Sequence, residues 1–105
     1  MGVSQACYCI GQIVHHKLFD YRGVIIDVDP KFCGTQQWYD TMARSRPPKD
    51  LPWYHVLVHN SAQQTYVAER NLELIPEPNP ISHPLLSSCF GAFENGAYVP
   101  HRPKH

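Results

Sequence analysis

Apolar and polar residues alternate along short stretches of this chain, and turn-forming residues separate the stretches. Residues 11–16 (GQIVHH) predict a first strand, short and β-branched, and 17–20 a turn. Residues 21–29 (YRGVIIDVD) give the clearest strand. Its two-residue period sets Val24, Ile26 and Val28 on one face and Ile25, Asp27 and Asp29 on the other. Pro30 ends it, having no N–H for a ladder. Residues 53–59, 65–68 and 72–75 predict three further strands, joined by a hairpin connection at 60–64 and a tight turn at 69–71. The longest connection, 31–52, holds one or two helical turns within 36–45, which carry Trp38, Tyr39 and Met42. A connection of that length in a small domain is usually functional or mobile. Strands this short, at this spacing, predict a mainly β fold, a small five-stranded antiparallel barrel. Past the extended, proline-rich 76–80, Pro84 opens a short helix near 83–90, and Gly91, Gly96 and Pro100 break up the remainder.

Composition narrows the picture. The 105 residues suffice for one domain, spanning 10–100, with a flexible N-terminus at 1–9 and a frayed basic tail at 101–105. At 43% hydrophobic and 17% charged the chain can build a core. A domain of this size buries only about 60–65% of its unfolded surface, so Trp53, Tyr54, Tyr66, Phe90 and Phe93 must supply much of that core. Nine basic side chains balance nine acidic ones, which excludes a polybasic nucleic-acid binder and an acidic tail. No apolar run is long enough to span a membrane. Residues 1–6 lack the basic and apolar regions of a signal peptide, and Ala6 stands where a myristoylation signal needs Ser or Thr. The expected compartment is the cytoplasm, with Cys7, Cys9, Cys33 and Cys89 as reduced thiols.

Candidate chemistry is sparse. Four cations, Lys31, Arg44, Arg46 and Lys49, face the single Asp40 between residues 31 and 49, the best local concentration for contacting phosphate. Trp53, Tyr54 and His55 form an aromatic run suited to stacking on a base or holding a peptide. Alternation puts Trp53 and His55 on one strand face and Tyr54 on the other, and with one face in the core, part of this surface is expected to meet solvent or a partner. A metal site is not expected: His55 and His59 on one strand stand about 13 Å apart, and Cys7-x-Cys9 is shorter than usual ligand spacing. Asp27 and Asp29, about 6.6 Å apart on one face, are expected to pair with Arg22 or Arg70 or to fix the turn at Pro30. No cysteine–histidine signature supports a nucleophile, so no enzymatic activity and no cofactor are expected. Gly11 and Gly23 read as backbone geometry, places where a side chain would clash.

Five fragments stand in one order: Gly11-Gln12-x-Val14-x-His16, Tyr21-Arg22-Gly23-Val24-Ile25, Asp27-Val28-Asp29-Pro30, Pro52-Trp53-Tyr54-His55-Val56-Leu57 and Thr65-Tyr66-Val67-Ala68-Glu69-x-Asn71-Leu72. Together they closely resemble the heat-shock protein HspQ family, also called the YccV-like or hemimethylated-DNA-binding domain, over residues 10–75. The resemblance implies an SH3-like five-stranded barrel, trimeric assembly, and two activities: binding hemimethylated DNA, and stimulating turnover of substrates by the Lon protease. Ile81-Ser82-His83-Pro84, with Phe90, Phe93 and Tyr98, is similar instead to the YccV-like domain of some F-box proteins, which select substrates for ubiquitination. The reading is a stress-linked binding module that specifies degradation by a Lon-type protease, with hemimethylated DNA as the alternative partner. Its candidate binding residues, for protein or DNA, are Arg22, Lys31, Arg44, Arg46, Lys49, Trp53 and His55.

Overall fold

The computed structural model describes residues 5–101. The predicted tail therefore lies outside the described residues except for His101, as do residues 1–4 of the predicted N-terminal stretch. Strands β1 (Ile13–His16), β2 (Arg22–Asp29), β3 (Trp53–Val58), β4 (Gln64–Ala68) and β5 (Leu72–Leu74) match the five predicted runs. Helix α1 (Gln36–Met42) lies in the long connection, and α2 (Leu86–Cys89) precedes a hairpin of β6 (Phe90–Glu94) and β7 (Ala97–Pro100).

β1 to β5 form one antiparallel sheet in the order β4-β3-β2-β1-β5. The sheet is open: β4 pairs only with β3, and β5 only with β1. This corrects the expected closed barrel. The β1–β2 turn reaches toward β4 through side chains, with Tyr21 and Thr65 hydroxyls 2.6 Å apart, and no backbone ladder forms there.

A bulge in β2 overturns the predicted strand faces. Ile25 pairs with Val56, but Asp27, not Ile26, pairs with His55, so the extra residue shifts the alternation beyond it. Val28 now joins Ile25 in the cluster of Val14, Tyr54, Val56, Val67 and Leu72, while Ile26 packs with Val24, Ile13 and Leu57. Asp27 and Asp29 are delivered opposite His55 and Trp53.

The expectation that only one face of β3 is buried fails as well. Trp53 is 1% exposed and Tyr54 0%. The sheet core takes Tyr54, and α1 with Phe32 covers Trp53 in a separate cluster of Tyr39, Ala43 and Ala68. Phe90 is buried, whereas Tyr66 and Phe93 are half-buried. At the N-terminal end, Cys7 N–H donates to Glu69 (2.8 Å) and the Tyr8 hydroxyl to the Leu72 carbonyl (3.0 Å).

Residues 90–100, expected to be broken up, form a hairpin tied to the sheet by an isolated bridge between Gln12 and Ala97. Gly11 makes that junction possible: its φ is +96°, and a Cβ there would collide with the Tyr98 carbonyl.

Candidate functional site: an aromatic cleft along the β4 edge

The cleft is built from the long connection. Thr35 caps α1, its hydroxyl accepting from Trp38 N–H at 3.0 Å. Tyr39 turns inward and donates its hydroxyl to the Pro47 carbonyl (2.6 Å), and the Trp53 indole donates to the Pro48 carbonyl (3.0 Å). The prolines thus supply acceptors that let two polar ring atoms be buried without loss. Phe32 lies 4.8 Å from Trp53 and Trp38 5.6 Å from Tyr66, centroid to centroid.

Between α1, β4 and the β1–β2 turn opens a cleft of about 470 Å³, with His16, Phe19, Trp38, Met42, His55 and Tyr66 among its walls. A second hollow of about 210 Å³ continues it toward Arg44, Ser45 and Asn71. Apolar side chains rim it in the open: Phe19 is 71% exposed, Met42 59% and Leu18 57%.

A polar hub stiffens one wall. The Tyr66 hydroxyl donates to Asp29 Oδ2 (2.6 Å) and accepts from Cys33 N–H (3.0 Å), while His55 Nε2 lies 3.1 Å from the same carboxylate oxygen. Burial alone would raise the Asp29 carboxyl, but the hydrogen bonds from Tyr66 and His55 outweigh it and hold the group below its ordinary value. Burial, and then donation to Asp29, push the Tyr66 phenol well above its ordinary range. On the opposite wall His16 Nδ1 accepts from both Leu18 and Phe19 N–H at 3.1 Å, and its ring stacks on Phe19 at 4.7 Å. Burial, then the neighbouring His15, lowers its pKa. The neutral ring thereby organises the turn that bears Leu18 and Phe19.

The carboxylates do not pair with Arg22 or Arg70 as expected, because the bulge turned them toward His55. Asp27, Asp29 and His55 place ligand atoms within 4.8 Å of one another. Asp29 is already engaged by Tyr66 and His55, and Asp27 accepts from Val28 N–H.

The candidate binding residues are dispersed. Arg22 is tied to the Asn79 and Pro80 carbonyls at 2.8 and 3.2 Å, and stands 3.2 Å from His59 Nε2. Arg46 pairs with Asp40 at 2.9 Å and lies over the Tyr39 ring. Lys49 donates to Gln36 and sits above the same ring. Trp53 forms the buried floor behind Trp38, and His55 joins the Asp29 hub. Lys31 and Arg44 are exposed, and neither makes an ion pair with another described residue.

The family model described as "Hemimethylated DNA-binding protein YccV like" matches residues 6–97. The chain belongs to the YccV-like family. That match runs through β6 and ends at Ala97, where β7 begins, so the C-terminal segment up to that point is part of the YccV-like domain. Among relatives, F-box only protein 21 from Homo sapiens and from Pongo abelii is 36% identical over 96 residues, and that from Mus musculus 35%. The match takes in 90% of this chain but 15% of those relatives' length. The YccV-like domain is thus one part of a much longer protein there.

Sequence reasoning missed Leu18, Phe19, Tyr66 and Met42 as cleft residues. One signal was available: residues 17–20 read as a turn, yet two of the four, Leu18 and Phe19, are large and apolar.

Proposed function

We propose that this chain is a non-enzymatic protein-recognition module of the HspQ type, which presents unfolded or exposed segments of substrate proteins to a Lon-type protease. The observation that carries this reading is the cleft, whose rim leaves Phe19, Met42 and Leu18 in the open beside a stack of aromatic rings. Contiguous exposed apolar surface rimmed by polar groups is the usual mark of a protein interface.

Hemimethylated DNA is the second reading, and the family match favours it. Duplex binders that neutralise about 6–10 phosphates need as many free cations on one face. Here Arg22, Arg46 and Lys49 have partners within the chain, which weighs toward protein.

The deciding experiment adds the purified chain to a Lon-type protease with casein as the unfolded client. Several-fold faster casein loss, with no cleavage when the protease is omitted, is expected. Unchanged turnover, together with a gel shift that prefers hemimethylated over fully methylated and unmethylated duplex, would replace this reading with the DNA one.

A further inference from the structure

β4 carries a free edge of unusual composition. Ladder bonds join Val58 N–H to the Gln63 carbonyl and Glu69 N–H to the Pro52 carbonyl. In an antiparallel pair, hydrogen-bonded and non-bonded positions alternate. With the register of Val56 to Thr65 and Tyr54 to Val67, that alternation turns the backbone groups of Gln64 and Tyr66 away from β3, toward the cleft. No backbone hydrogen bond outside the ladder engages either residue among those described. Proteins usually blunt such edges with charge, proline or brevity. The other edge, β5, has three residues and the charged Glu73, but β4 reads Gln-Thr-Tyr-Val-Ala.

The cleft also has a charged end. Asn71 Nδ2 bonds the Ser45 hydroxyl and the Arg70 guanidinium the Ser45 carbonyl, and the neighbouring Arg44 lines the hollow that continues the cleft. Arg44 makes no ion pair with a described residue. The opposite end, Gln63 and Gln64, is neutral.

Resting on the protein-recognition reading above, we propose that the cleft binds an extended polypeptide segment that adds as a further strand to β4. Gln64 and Tyr66 exchange main-chain hydrogen bonds with it, alternate large apolar side chains enter between Trp38, Met42 and Phe19, and a carboxylate at one end meets Arg44. Main-chain pairing makes the segment's extended form matter more than its sequence, which suits a module that handles many clients.

A phage-displayed random decapeptide library panned on the full chain tests this. Enriched sequences are expected to alternate apolar residues and carry Asp or Glu at one end. As synthetic peptides they should lose about tenfold in affinity when alternate amides are N-methylated, the effect of removing one well-made hydrogen bond. Gln64→Pro should produce a similar loss with unchanged circular dichroism, since its N–H faces outward on an edge strand. Charge reversal of Arg44 should weaken binding and its salt dependence. Peptides indifferent to N-methylation and to Gln64→Pro but lost on Met42→Glu would overturn strand addition while leaving protein recognition standing. No enrichment with intact protease stimulation would also overturn strand addition alone, and no enrichment with no stimulation would overturn both. A chain that dimerises by itself and dissociates on Gln64→Pro would assign the edge to a second copy instead.

Discussion

Tyr66 and Asp29 lie 37 positions apart and meet at 2.6 Å, the phenol donating to the carboxylate. The contact joins β4 to the end of β2 across β3 and holds the Tyr66 ring against Trp53 and His55. It exists because the Ile25/Asp27 bulge reversed the strand's alternation. Tyr66→Phe removes the donor to Asp29 and the acceptor of Cys33 N–H, and should cost about 1–3 kcal/mol in urea unfolding at neutral pH. The Asp29 pKa is depressed in the fold, so its stabilisation is present above the ordinary value of 3.8 and is lost as pH falls through the folded value. In Tyr66→Phe that acid-linked loss should shrink. An unchanged acid dependence would show that Tyr66 does not govern Asp29.

Trp53, a candidate binding residue, is buried and floors the hollow that continues the cleft. Trp53→Ala should therefore lower stability by about 3–5 kcal/mol, the usual result of emptying a buried aromatic site. Met42→Ala, on the exposed rim, should stay within about 0.5 kcal/mol. Thermal melts of the two variants compare them directly, and a Trp53→Ala melt near that of the parent would refute the assigned packing.

Arg22 fastens the proline-rich segment to the sheet through the Asn79 and Pro80 carbonyls. Arg22→Ala should cost about 1–3 kcal/mol and speed amide exchange at Ser82, whose N–H donates to His59. It should leave peptide binding at β4 intact. Slow exchange at Ser82 in that variant would show that the segment is held by other contacts.

Two adjacent histidines should respond oppositely to pH. Hydrogen bonds to Asp20 and then Glu73 raise the His15 pKa above 6.5, so its stabilisation is complete below that value and fades as pH rises through the folded pKa. His16 is lowered, so the fold loses stability as pH drops below 6.5 toward its folded pKa. In a His15→Gln background, stability should fall steadily between about pH 7 and pH 5, and Phe19 should loosen with it. Proton-detected titration of the imidazole resonances checks both directions; His16 titrating above 6.5 would contradict the buried neutral ring.

The strands were legible because β-branched runs and turn residues are local signals, and all five fell where alternation placed them. Strand faces were not: Val-Ile-Ile-Asp-Val-Asp alternates in either phase, and only pairing with β3 selects a bulge at Ile26. The β6–β7 hairpin had a sequence mark that the glycine-as-breaker reading passed over. Asn95 and Gly96 both adopt positive φ, +54° and +80°, as a tight hairpin turn of this type demands. The candidate site was half legible. Its charges stood out in composition, but whether an arginine is free or engaged depends on carbonyls brought near by folding, as Arg22 illustrates. The cleft itself arises from residues of three separate segments, the turn at Phe19, the helix at Met42 and the edge at Tyr66.

Amide and indole shift mapping on the isotope-labelled chain, titrated separately with casein and with hemimethylated duplex, tests most directly where this domain meets its partner. Casein is expected to perturb Gln64 to Val67, Met42 and the Trp38 indole, while duplex gives only weak, salt-sensitive shifts near Lys31 and Arg44. Saturable, methylation-dependent shifts with duplex, and none along β4 with casein, would contradict it.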